Sequence, residues 1–295
     1  MEDTVIRTHD TVFKYIFGRP ETKDVLLGLI NSVVCPGDND EKICDIQLVD
    51  RELDPVQKDG KLCRVDLHGV TSTGIHIDIE VQNVFEPYME RRATYYWADI
   101  FVRQLGEGDE YQKLRPTYLI NILNFNFFKN FPKYIRECQI VFKDTGEQLN
   151  GDMRLFFLEL PKWVAQKRKA QSSLERWLAF LSHGNPAEIE EYAMLDPDIR
   201  KAIEAEKQFI ADPEQMSKYR QYKKALKDWN SSMLQAEKTG EARGEARGEA
   251  KGEAKATAKL ARNMLSKGAS IQQVHEYTEL PINKIEELQQ QLAQA

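Results

Sequence analysis

Apolar and polar residues alternate with the period of a strand along Lys61–Asn83, twice, on either side of a short polar break at Ser72-Thr73-Gly74. The spacing predicts two strands, Lys61–Thr71 and Ile75–Gln82, closed by a three-residue loop with Gly74 in its left-handed last position. Thr71 then pairs with Ile75. Counting back sets Asp66 opposite Glu80, His68 opposite Asp78 and Arg64 opposite Gln82. Strand side chains alternate, so one face carries Arg64, Asp66, His68, Asp78, Glu80 and Gln82, and the other Val65, Leu67, Ile77, Ile79 and Val81. The second face suits a core. The first holds three acids, two of them directly opposed, which destabilises a sheet unless something compensates.

The flanks have helical and buried-strand patterns. DTVFKYIF (10–17) reads as a short helix, and Pro20-Glu21 open another with Val25, Leu26, Leu29, Ile30 and Val33 at helical spacing. Ile43–Val49 is a strand candidate. Tyr88–Gly106 carries an apolar stripe through Met89, Ala93, Tyr96, Trp97, Ile100, Phe101 and Leu105. Pro116–Phe125 is almost continuously apolar, as in a strand buried on both faces. Tyr134–Phe142 and Met153–Leu160 are two further strands. After Pro161 the pattern is helical: Ser172–Ser182, Pro186–Met194, Pro197–Ile210 and Pro213–Leu234, each opened by a capping residue or Pro. The expected fold class is α/β, a mixed sheet flanked by helices with an all-helical C-terminal extension.

Gly240–Lys255 repeats GEAR, GEAR, GEAK, GEAK, which puts like charges at i,i+4 and Gly in each turn. It reads as a solvated, partly helical spacer, with a partner-binding helix as the alternative. In Ala256–Ala295, Leu260, Met264 and Leu265 make a short helix. Ser270 with Gln273 forms a capping box, and Pro281 opens a third helix. A helix-turn-helix and a small docking or dimerisation module both fit this tail, and its excess of acids favours the second. Four segments follow: a core over 1–162, a helical extension over 163–236, a spacer over 237–255 and a tail over 256–295.

Composition narrows the classes. The 295 residues are 41% hydrophobic and 30% charged with net charge −6, which argues against a strongly basic nucleic-acid binder but permits a local basic groove. The four cysteines are scattered, so reduced thiols are expected rather than a zinc site. No apolar run reaches membrane-spanning length and the N-terminus has no basic-then-apolar pattern, so the expectation is a cytoplasmic protein with no membrane partner.

Opposed carboxylates suit a hard cation, Mg²⁺ or Mn²⁺, which takes oxygen ligands and neutralises charge at a phosphate. Asp66 and Glu80 would supply carboxylates and Val81 a backbone carbonyl, while Gln82 would orient a water or a phosphate. By spacing alone, solvated acids on an exposed strand face account for the same pattern. Arg92 and Tyr96, at i,i+4 on the following helix, read either as a phosphate contact with its support or as a surface Arg beside a core Tyr. Asp78 reads as a support behind the ligands or as a solvated acid. His68 reads as a base or as a solvated side chain. Glu21 and Asp24 are accounted for by the preference of acids for helix N-termini, and Lys14 has no evident role.

The motif D…ExQ on a hairpin, within helix–three strands–helix–strand, resembles the PD-(D/E)XK restriction-endonuclease-like superfamily. The stretches DTVFKYIFG, RVDLHG, DIEVQN, MERRATYYWADIFVRQLGEGDEY, PTYLINIL, FFLELPKW and LERWLAFL, in that order over residues 9–183, are similar more specifically to the Rpn recombination-promoting nucleases, or PD-(D/E)XK nuclease family transposases. The resemblance implies a PD-(D/E)XK core and a Mg²⁺- or Mn²⁺-dependent DNA endonuclease in a bacterium, tied to recombination and mobile elements. Asp66 and Glu80 match the metal-binding acids. Arg92 and Tyr96 match an R…Y pattern. Gln82 stands where the superfamily usually has Lys, so a cation is lost and charge stabilisation must come from elsewhere. Val65 stands at the Pro position. DNA is the implied partner, with the helical C-terminal region left as a candidate homo-oligomer surface. The alternative is a catalytically weak or inactive DNA-binding or interaction protein on the same fold.

Overall fold

Two amphipathic helices begin the chain because their apolar residues recur every three or four positions. Asp10–Phe17 (α1) buries Val12, Phe13, Ile16 and Phe17, and Lys23–Val34 (α2), entered through a 3₁₀ turn at Pro20–Thr22, buries Val25, Leu26, Leu29, Ile30 and Val33. The computed structural model describes residues 5–37, 39–49, 52–53, 63–64 and 67–293. Within these residues the strands are Ile46–Leu48 (β1), Glu52–Leu53 (β2), Cys63–Arg64 (β3), Leu67–Thr71 (β4), His76–Gln82 (β5), Thr117–Leu123 (β6), Ile135–Cys138 (β7) and Met153–Glu159 (β8), with helix Met89–Val102 (α3) between β5 and β6.

Among the described residues the main sheet has the order β1-β4-β5-β6-β8-β7. β1, β4 and β5 are antiparallel neighbours, β5, β6 and β8 run parallel, and β7 returns antiparallel to β8. Counting only the strands of this sheet, α2, then β1, β4 and β5, then α3 and β6 follow one another as the sequence predicts, in a mixed sheet flanked by helices. The register of the hairpin is also as expected: His68 pairs with Asp78 and Leu67 with Ile79. The Thr71 amide donates to the Ile75 carbonyl at 2.9 Å. Gly74 sits at φ +85, the left-handed conformation that closes the turn. At Gly69 the constraint is space, since a Cβ there would lie 2.6 Å from the Ile46 side chain on β1.

The expected first strand is shorter than the sequence pattern implies. Cys63–Arg64 pair with Glu52–Leu53 in a separate two-stranded ladder, so in the main sheet the described part is Leu67–Thr71. Asp66 and Val65 lie outside the described residues.

The sheet separates two apolar layers. Ile77, Ile79, Val81, Ile120, Ile122, Phe156 and Leu158 face α1 and α2. Leu119, Leu123, Met153, Leu155 and Phe157 face the other way, against Met89, Ala93 and Ile100 of α3. The first layer also takes in helices Leu160–Val164 (α4), Ser173–Leu181 (α5), Pro186–Leu195 (α6) and Pro197–Ala211 (α7). Phe17 meets Trp177 of α5 with ring centroids 5.8 Å apart, and Tyr15 meets Phe209 of α7 at 5.1 Å. Fully burying side chains of this size contributes about 2–3 kcal/mol each.

The chain divides into two compact units, Met1–Tyr219 and Arg220–Ala295. Residues 163–219 therefore share a unit with the sheet. Helix Pro213–Ser266 (α8) begins in the first unit and ends in the second. It includes the Gly-Glu-Ala-Arg/Lys repeat, where residues 243–245 and 247–249 are exposed. The second unit closes with Ile271–Thr278 (α9) and Ile282–Ala293 (α10) around Ala261, Val274, Ile285 and Leu288. The expected capping box at Ser270 and Gln273 is formed.

One charged cluster ties α5 to the sheet's last loops. Glu175 accepts from the Tyr134 hydroxyl at 2.6 Å, from Arg168 Nη1 at 2.8 Å and from the Gln171 amide at 2.7 Å. These donors, Arg168 foremost, hold the Glu175 carboxyl down at about 2, while burial and the neighbouring carboxylate push Tyr134 up to about 12. The stabilisation is complete above the ordinary glutamate pKa of about 4.5 and is lost as pH falls toward about 2. Arg168 is partly exposed, so solvent screening reduces the contribution to about 1–2 kcal/mol. Glu175→Gln is expected to be less stable than the parent by that amount in urea melts at pH 7, with the difference fading between pH 4.5 and 2. A difference unchanged by acid would contradict this role.

Candidate active site

The α3-facing side of β5 carries Asp78, Glu80 and Gln82, because Ile77, Ile79 and Val81 take the opposite face. β5 is paired to β4 and β6, and α3 lies over this side of the sheet. Asp78 is 0% and Glu80 1% exposed. Solvated acids on an open strand face would look otherwise, and that reading falls for Asp78 and Glu80. Two carboxylates two residues apart on one strand, both out of water, are costly to leave ionised without cations or donors.

Glu80 is held by two donors that converge on one oxygen. Gln82 Nε2 donates to Glu80 Oε2 at 3.1 Å, and Arg92 Nη2 donates to the same oxygen at 3.3 Å. Arg92 reaches the strand because α3 places it over the sheet. Its guanidinium carbon lies 5.0 Å from the ring centre of Tyr96, one turn on. The two residues that the sequence pairs at i,i+4 therefore form one arrangement with Glu80, and Arg92 is more than a surface cation beside a core tyrosine. Its Nε is buried and has no hydrogen-bond partner among the described residues.

Asp78 and His68 differ from the solvated side chains expected at those positions. His68 is 2% exposed, and its Nδ1 lies 3.9 Å from Asp78 Oδ1. On its other side His76 Nδ1 stands 3.4 Å from His68 Nε2. Neither side chain stands on an open sheet face: each lies against the other across the β4–β5 pair, with His76 on the far side of His68.

Sequence reasoning missed two polar groups. Asn121 pairs with Glu80 in the β5–β6 register and is fully buried. Its Nδ2 donates to the Phe156 carbonyl at 3.0 Å, while its Oδ1 has no partner among the described residues. Glu159, at the end of β8 level with Gln82 and Leu123, is 1% exposed and pairs with Lys162 at 2.5 Å. The signal in both cases is a lone polar residue in an otherwise apolar run, PTYLINILNF and FFLEL.

The divalent cation that the resemblance implies can be tested against these groups. Among the described residues no set of three His, Cys, Asp or Glu is arranged to hold a metal ion. The donors that are described suit a hard cation in kind: a buried carboxylate on Glu80, and level with it the buried, unsatisfied amide oxygen of Asn121. Asp66, expected to supply the second carboxylate, lies outside the described residues.

No described helix is long and apolar enough to cross a membrane. No curated protein and no solved structure matches the chain. A family model does: with the helix–three strands–helix–strand core in place and Glu80 and Gln82 on its interior strand, the model for PD-(D/E)XK nuclease family transposases matches residues 7–236, and the chain belongs to that family.

Proposed function

We propose that the protein is a metal-dependent endodeoxyribonuclease, acting in the cytoplasm on DNA connected with recombination or mobile elements. The observation that carries this reading is the buried Glu80 carboxylate gripped on one oxygen by Gln82 and Arg92. A structural role does not account for an acid in that place, since an apolar residue would fill an interior strand at lower cost. Family membership supplies the reaction class.

Asp66 and Glu80 would hold Mg²⁺ or Mn²⁺, with the Val81 carbonyl as a further oxygen. The bound cation would supply charge neutralisation at the scissile phosphate and a more acidic water. Gln82 orients the Glu80 carboxylate through its amide N–H and has a carbonyl oxygen with which to accept from the attacking water. Arg92 takes over the positive charge that a lysine at position 82 would bring. The exposed part of its guanidinium would donate to a phosphate oxygen, and Tyr96 keeps the guanidinium over the site. Asp78 stands behind Glu80 and holds the strand's polar face together with His68.

Two outcomes test this. Supercoiled plasmid is expected to be nicked in Mg²⁺ and not in EDTA, with Asp66→Ala and Glu80→Gln each reducing the rate at least about 100-fold, as loss of a metal-held transition state does. Cleavage that survives Asp66→Ala removes the site assignment. DNA binding with no cleavage in any divalent metal points instead to a binding protein on this fold.

The second outcome concerns stability. Arg92 is about one-third exposed and repays little of the cost of a buried Glu80 beside Asp78. In EDTA, Glu80→Gln is expected to be more stable than the parent by about 1 kcal/mol in urea melts. Mg²⁺ at ten times its dissociation constant should stabilise the parent by about 1.4 kcal/mol and leave the variant unchanged. A less stable Glu80→Gln would make Glu80 a structural acid.

A further inference from the structure

Immediately beyond the Glu80–Gln82 end of β5, the chain builds a raised aromatic surface that the chemistry above does not use. Phe85 is 52% exposed, and Val84 before it 62%. The Phe85 ring packs at 5.4 Å from Phe125 and 6.2 Å from Phe127, so it is supported from beneath rather than loose in solvent. The two supporting rings belong to the segment after β6, and that segment is fastened to the site: the Asn124 amide donates to the Gln82 carbonyl at 2.9 Å.

The segment is also held rigid from its far side. Glu159 Oε1 accepts from the amides of Phe127 at 2.6 Å and Phe128 at 3.1 Å, while Lys162 Nζ donates to the carbonyls of Phe128 at 2.7 Å and Phe131 at 2.6 Å. A buried ion pair contributes little net stability, and fixing one conformation is among its better attested uses. Here it fixes the backbone that presents the rings.

The segment that carries the two supporting rings is basic in a protein whose net charge is −6, although Glu86 directly follows Phe85. Residues 124–136 contain Lys129, Lys133 and Arg136 and no acid. Lys129 and Lys133 are exposed, and the Arg136 guanidinium lies 4.7 Å from the Phe128 ring centre and 4.9 Å from that of Phe131. Aromatic faces interleaved with cations match the chemistry of a nucleic-acid strand whose bases are unpaired, since a base inside a duplex has no free face to stack.

We propose that Phe85, backed by Phe125 and Phe127, is a stacking platform for an unpaired base of DNA next to the cleavage site, and that the preferred substrate is locally single-stranded. This rests on the nuclease reading, but its test does not use cleavage. Fluorescence anisotropy in EDTA would compare a fluorescein-labelled 20-nucleotide oligo(dT) with a blunt 20-base-pair duplex, on the full chain. The parent is expected to bind oligo(dT) at least about tenfold more tightly. Phe85→Ala should weaken oligo(dT) binding about tenfold, within the range of a lost base stack, and change duplex binding less than twofold. Phe85→Trp should retain or exceed the parent's affinity for oligo(dT). Equal losses on both DNAs, no loss on oligo(dT), or a Phe85→Trp variant as weak as Phe85→Ala overturns the inference. Unchanged affinity for both DNAs would point to a protein partner on this surface. Plasmid nicking by the parent reads the nuclease assignment separately, so failure of one is distinguishable from failure of the other.

Discussion

Two carboxylates sealed inside a sheet are the constraint around which this molecule is built. Asp78 and Glu80 are essentially without solvent contact, on the strand with neighbours on both sides. A strand in that position ordinarily carries apolar residues on both faces, and β6 does so apart from Thr117 at its start and Asn121 in its middle. The surroundings of β5 are arranged accordingly. α3 crosses above with Arg92 turned to Glu80, Gln82 donates along the strand, and His68 stands across from Asp78. Each contact offsets part of the cost of burial. A site that is expensive when empty is a site that gains from binding a cation.

The rest of the first unit supplies what that strand needs to stay in place. The opposite face of β5 is apolar and lies against α1 and α2, and these are covered in turn by α5 and α7 through Trp177 and Phe209. Charged side chains in this layer are paired as well. Arg7 meets Glu206 through two hydrogen bonds at 2.9 and 2.8 Å, and Arg168 meets Glu175 beside Tyr134. The helices after residue 160 are therefore part of the support of the sheet, on the side away from the acids.

Much of the fold was legible in the sequence because its signals were local. Period-two alternation and Gly74 set the hairpin register, and His68 does pair with Asp78. Helical periodicity located α1 and α3, and a Pro or capping residue marked the starts of α5, α6 and α7. What was not legible depends on tertiary position. The burial of His68 and Asp78 follows from what lies over their face of the sheet, which no pattern within Leu67–Gln82 encodes. The grip of Arg92 on Glu80 needs the crossing of α3 over β5. The turn held by Glu159 and Lys162 needs β8 beside β6, two strands separated by 29 residues of chain. Asn121 and Glu159 were visible as isolated polar residues in apolar runs, but their consequence depends on neighbours that the sequence does not name.

The central claim is that Glu80 and Asp66 share a divalent cation. Anomalous diffraction from crystals grown with Mn²⁺ tests it most directly. The account predicts an anomalous peak within ligand distance, about 2.0–2.3 Å, of carboxylate oxygens from both residues. A peak held by other residues, or well-ordered Asp66 and Glu80 side chains with no peak between them, would contradict it.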